Sequence, residues 1–146
     1  MIDGQNHKYS LLLYPQSVAT NATATATVDT LGFDHCQIYV TNGVEATNPT
    51  VLKVSEGTNT SASTDIAAFT GDGGSGFTIA AADTDNGTST LLDLPQLGAR
   101  ERYLKIHVTP GATGLVSAVA ILSKAKIGAS TAALKGVDVY QTSTAS

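Results

Sequence analysis

The sequence contains no tryptophan, one cysteine, four prolines among 146 residues, and only 14% charged side chains. Each scarcity closes off a class of explanation. The lone Cys36 forms no internal disulfide, so nothing in the chain calls for an oxidising compartment. It stands in the alternating apolar set Cys36, Ile38 and Val40 and reads as a small buried hydrophobe rather than a reactive thiol. Eight Lys and Arg, scattered among twelve Asp and Glu, give a net charge of −4. Neutralising phosphates needs clustered cations, so nucleic acid is not the expected partner. No apolar run approaches the length of a membrane span. Met1–Lys8 is polar and Leu11–Leu13 is far too short for the hydrophobic region of a secretory signal, so neither membrane nor export is expected.

Chemistry-bearing motifs are equally sparse. Asp83-Thr-Asp85-Asn86-Gly87 starts like a calcium loop, but its glycine comes one position early and Leu94 stands near the place of the closing glutamate, so it reads as a turn. The run Gly71–Gly76 lacks the Lys-Ser/Thr of a phosphate-cradling loop and no helix pattern follows it. His7, His35 and His107 show no shared metal-ligand spacing and read as solvated surface histidines. No Gly-X-Ser-X-Gly elbow marks an activated serine. No enzyme, metal or cofactor is expected. The Asn-X-Ser/Thr matches at Asn21, Asn59 and Asn86 carry no weight in a chain this rich in Ser and Thr.

What is present is β patterning. From Arg100 to Leu122, Leu104, Ile106 and Val108 alternate with Tyr103, Lys105 and His107, a turn with Pro110-Gly111 follows, and a second apolar strand starts at Leu115. This stretch predicts a hairpin whose turn uses positive φ and whose two strands lie centrally. Elsewhere, Tyr9–Tyr14 predicts a short strand stopped by Pro15. Val18–Val28 alternates Ala and Thr, which suits a pleated surface better than a helix. His35–Thr41 buries Cys36, Ile38 and Val40, then ends at the turn Asn42-Gly43. Val51–Glu56 buries Leu52 and Val54. Weaker strands are expected at Asp65–Thr70, Phe77–Ala81, Thr90–Leu94 and Val137–Tyr140, and Leu31 and Phe33 are expected against the core.

Short strands, turn-rich loops and no helix-period segment predict an all-β fold, a two-sheet sandwich or jelly-roll-like body with an extended N-terminal arm and C-terminal tail. A small barrel is the competitor. The expected divisions are 1–17 as arm and short strand, 18–123 as the β-sandwich, and 124–146 as an extension. The expected core is Ile38, Val40, Leu52, Val54, Leu104, Ile106 and Val108. Candidate interface residues are Arg100 and Arg102, part of the densest charge cluster in the chain, Lys124 and Lys126 of the basic extension, and Tyr39 and Tyr103. If the two tyrosines shared a sheet face they would form a weak glycan platform.

Four segments together resemble a known class. They are Ala-Thr-Ala-Thr-Val-Asp-Thr-Leu-Gly-Phe-Asp at 24–34, Cys-Gln-Ile-Tyr-Val at 36–40, Leu-Lys-Val-Ser-Glu-Gly at 52–57, and Arg-Tyr-Leu-Lys-Ile-His-Val-Thr-Pro-Gly-Ala at 102–112. Over about residues 18–123 the chain resembles the head decoration, or cement, proteins of tailed bacteriophages; the arm and the tail after Lys124 fall outside the likeness. The resemblance implies a jelly-roll-like homotrimer on the outer surface of an icosahedral capsid, with the major capsid protein as partner and a stabilising role in the virion. The alternative expectation is a phage tail, neck or fibre-associated module that binds host glycan.

Overall fold

The computed structural model describes residues 7–72, 76–123 and 139–142. Its strands are β1 (Lys8–Val18), β2 (Ala24–Asp29), β3 (His35–Asn42), β4 (Val51–Gly57), β5 (Thr64–Thr70), β6 (Thr88–Pro95), β7 (Tyr103–Thr109), β8 (Gly114–Ser123) and β9 (Val139–Thr142), with a 3-10 turn at Leu97–Ala99. They form a five-stranded sheet ordered β1-β8-β3-β6-β9 and a four-stranded sheet ordered β2-β7-β4-β5. The antiparallel pairs β1 with β8, β2 with β7, β3 with β6 and β4 with β5 are nested, as in one long hairpin folded over on itself. That nesting is the topology of a jelly roll, and the all-β sandwich expected from the sequence is what the chain forms.

Alternation explains the core. Cys36, Ile38 and Val40 of β3, Leu52 and Val54 of β4, Leu104, Ile106 and Val108 of β7, and Val116, Ala118, Ala120 and Leu122 of β8 all turn inward and are buried. Phe69 of β5 and Leu92 and Leu94 of β6 complete the layer between the sheets. Burial, then the nearby charge of Asp93, pushes the Cys36 thiol well above its ordinary range, so it is unreactive in the folded chain.

Several expectations need correction. β7 and β8 are not a hairpin: β7 pairs with β2 and β4, whereas β8 pairs with β1 and β3 in the other sheet. Both are central, but the Pro110-Gly111 segment carries the chain from one sheet to the other, roughly 10 Å away. It does so without positive φ, which among the described glycines occurs at Gly32 and Gly87. Gly111 is needed for space instead, because a Cβ there would meet the Asn48 carbonyl at 2.0 Å.

Pro15 does not stop its strand. β1 continues to Val18 because it is an edge strand whose register slips between Leu13 and Gln16, and a residue without an N–H is tolerated at such a bulge. A boundary after residue 17 therefore cuts through an integral strand. At the other end, β9 lies within the presumed extension yet pairs in parallel with β6, so that part belongs to the sheet. Phe77–Ala81 is not a strand; Phe77 makes one isolated bridge to Gly71, and the Ile79 N–H donates to Asp72 Oδ1 at 3.1 Å. Leu31 is 66% exposed, while Phe33 packs on the core as expected.

Candidate functional site

Among the described residues, the four-stranded sheet and the segment leading into β7 carry three ion pairs. Arg102 donates from Nε to Asp29 Oδ1 at 2.8 Å and from Nη2 to Asp29 Oδ2 at 2.7 Å, and its guanidinium lies 5.0 Å from the centre of the Tyr103 ring. These donated bonds, with a further one from the Leu31 N–H, bring the Asp29 carboxyl down to about 2. The same pairing raises the Arg102 guanidinium above its ordinary value. Arg100 lies 3.5 Å from Glu56, and Lys53 lies 3.0 Å from Asp65. The two candidate arginines thus engage carboxylates of their own chain.

His107 is not simply solvated. It is half-buried on β7 and bonds through Nε2 to Ser55 Oγ at 2.8 Å, while Ser55 donates to the Ala62 carbonyl. Because the serine hydroxyl is used as a donor toward Ala62, Nε2 carries the ring proton toward the serine oxygen. Burial first, then the charges of Lys53 and Lys105, hold its pKa below 6.5 against the opposing pull of Asp65.

The outer face of the five-stranded sheet differs in kind. Leu11, Val119, Tyr39 and Leu91 stand side by side in register across β1, β8, β3 and β6. On β1, Tyr9, Leu11 and Tyr14 are 67%, 64% and 63% exposed, an apolar strip along an edge strand. Next to this surface His35, expected to be solvated, is buried at 6% exposure. Its Nε2 donates to Asp93 Oδ1, and its Nδ1 lies 3.2 Å from Ser123 Oγ. Alternation placed His35 opposite Cys36 and so read it as wet; its partners lie 58 and 88 residues away, beyond any local pattern. The array has the residue types of a nucleophilic triad, but Ser123 is only 4% exposed and Asp93 0%. A hydroxyl so enclosed does not meet a substrate, and the array ties β3, β6 and β8 together.

Tyr39 and Tyr103 lie on opposite sheets, β3 in one and β7 in the other, so the two-tyrosine platform does not exist. Tyr39 instead lines an open groove of about 500 Å³ with Thr41, Asn42, Asn86, Ser117 and Pro15 among its walls. Lys124 and Lys126 lie outside the described residues. Among the described residues, no cluster of His, Cys, Asp and Glu could hold a metal ion. The Asp83 carboxylate instead accepts the N–H groups of Asp85 and Asn86 at 2.7 and 3.0 Å, which makes that segment a turn.

Glu45 is a further group that sequence reasoning did not single out. It is buried beside the β7–β8 connection, where burial raises its carboxyl above the ordinary value and the N–H groups of Ala112 and Gly111 oppose that rise. No signal in the sequence marks it, since an isolated Glu in a loop is ordinarily exposed. In comparisons with known proteins, no family model matches the chain, and no curated protein or solved structure matches it.

Proposed function

We propose that the chain is a capsid decoration protein of a tailed bacteriophage, a trimer on the outer surface of the head that contacts the major capsid protein and bridges neighbouring capsomers. In this reading it is a structural component with no catalytic site and no cofactor. The observation that carries the proposal is the apolar strip Tyr9, Leu11 and Tyr14 on β1, an edge strand of the jelly roll among the described residues. Jelly rolls recur in viral capsid and lectin domains, and proteins that work alone blunt such edges with charge, proline or bulges, or cover them. In β1 the bulges and Pro15 come after Leu11, while the regular stretch around Tyr9 and Leu11 carries no charge beyond Lys8 at its start. An exposed apolar edge of this kind suits association with another protein surface, either by packing or by strand addition. A net charge of −4 suits the outside of a shell better than its genome-filled interior.

The mechanism follows from multivalency. Each contact across a capsomer boundary is modest, but contacts held together by a rigid body are lost only when the capsomers separate, so they act in concert. Particles lacking the protein are expected to release their genome at lower temperature and milder osmotic shock than complete ones. Equal resistance of the two particle types sinks the stabilising role. A triple variant Tyr9→Ser, Leu11→Ser, Tyr14→Ser, all at exposed positions, is expected to stay folded and to lose shell binding; unchanged binding removes the strip from the interface. Copy number separates this reading from a tail, neck or fibre module, because a shell lattice takes far more copies than a tail.

A further inference from the structure

The groove beside Tyr39 is built from backbone corners rather than from mobile side chains. One wall is the turn in which Asp83 caps the N–H groups of Asp85 and Asn86. Gly87 follows with φ of +72°, and it packs so closely on β3 that a Cβ there would meet the Asn42 carbonyl at 2.4 Å. The end is closed by Gly43, whose N–H donates to the Leu115 carbonyl at 2.7 Å. Pro15, set in the bulged part of β1, forms the opposite side. A pocket held in this way is pre-formed and loses little on binding.

Its chemistry is specific. None of the described residues lining it is charged. The floor is the half-exposed Tyr39 ring beside the hydroxyls of Thr41 and Ser117, which bond to each other. The rim adds the amide of Asn86 and the hydroxyl of Thr88. Asn42 also lines the groove, but it alternates with Tyr39 and Thr41 along β3 and its Nδ2 is fully enclosed, out of a ligand's reach.

A phosphate, carboxylate or acidic peptide would call for a cation, and the described lining provides none. A lipid chain would leave its amides and hydroxyls unpaired. A ring that offers apolar C–H faces together with hydroxyl groups meets both halves of the lining, since Tyr presents an apolar body and a polar tip. We propose that this groove binds a neutral saccharide, with Tyr39 against a sugar C–H face and the Asn86 amide and Thr88 hydroxyl on its hydroxyls. The proposal stands apart from the decoration role: a shell protein or a tail module could carry it.

The test uses the full isotope-labelled chain, titrated with maltotriose, cellotriose and triacetylchitotriose to about 10 mM, a range that captures a millimolar Kd. With at least one of these probes, saturable amide shifts are expected at Tyr39, Asn42, Asn86 and Gly87. Tyr39→Ala and Asn86→Ala are each expected to weaken binding about tenfold, while Tyr103→Ala on the opposite sheet binds as wild type. Asn86 is exposed, so its variant keeps the test valid even if Tyr39→Ala loses its fold. The proposal is overturned if none of the three sugars gives saturable shifts, if the shifts cluster away from the groove, or if folded Asn86→Ala binds as tightly as wild type.

Discussion

The two sheets share one core yet meet solvent in opposite ways. The four-stranded sheet and the segment leading into β7 carry the exposed ion pairs Asp29–Arg102 and Lys53–Asp65 and the half-buried Arg100–Glu56 pair. The five-stranded sheet has its His–Asp pair buried, and its outer surface carries Tyr9, Leu11 and Tyr14 together with an uncharged groove. Exposed pairs contribute little to stability but keep a face soluble. An uncharged, partly apolar face does the reverse, and this asymmetry is what supports the proposal that the five-stranded sheet is the side that meets other molecules.

The first way to break this comparison is to attack what the sheets have in common. Ile106→Asp on β7 and Ile38→Asp on β3 each place an unpaired charge in the same core, and both are expected to unfold the chain, at a cost above about 4 kcal/mol. A soluble, folded Ile106→Asp variant, judged by circular dichroism and urea melting, would mean that the faces are reversed.

The second prediction separates the outer faces. Asp93→Ala leaves His35 buried without its partner and is expected to cost about 3–5 kcal/mol in urea denaturation. His107→Ala, which removes a half-buried hydrogen bond to Ser55, is expected to cost about 1 kcal/mol. Equal losses would show that the two sheets bury their polar groups to the same degree.

The third concerns acid. The pKa of His107 is held below 6.5 in the folded chain, so the unfolded chain binds more protons in the interval between the two values. Stability from this group is complete above 6.5, falls as pH drops through that value, and levels off once pH lies below the folded value. A His107→Gln variant should show a flatter urea midpoint across this window; an unchanged slope removes His107 as its source.

The smallest effect belongs to Asp29. Its lowered carboxyl contributes stability that is present above the unfolded value near 3.8 and lost as pH falls toward about 2. The difference between wild type and Asp29→Asn should therefore be slight, shrink in high salt, and vanish at the acid end. A difference that persists well below the folded value, at about pH 1, would contradict the pairing with Arg102.

The strands and their inward faces were legible because they are local. A residue in an extended chain points opposite to its neighbours, so Leu104, Ile106 and Val108 name a buried face without reference to any other strand. The same rule misread His35, which sits on the outward side of β3 and is nonetheless buried by residues brought in from β6 and β8. Of the groove, the sequence marked Tyr39 as a contact residue but gave no sign of its neighbours, because Pro15, Asn42, Asn86 and Ser117 come from four separate stretches.

By itself, then, the sequence determined the all-β class, most of the strand positions and the apolar core, since each rests on alternation over a few residues and on a shortage of charge. Only the tertiary structure decided which sheet each strand joins. Pairing in a jelly roll links strands by nested position rather than by adjacency, so β7 and β8 part company at Pro110-Gly111 despite their hairpin-like spacing. That separation puts Tyr39 and Tyr103 on opposite sides of the molecule, draws the arginines to carboxylates of their own chain, and assembles the groove and the buried His35 array on one sheet. Each of these depends on contacts across dozens of residues, where strand pairing and cross-sheet packing outweigh local preference.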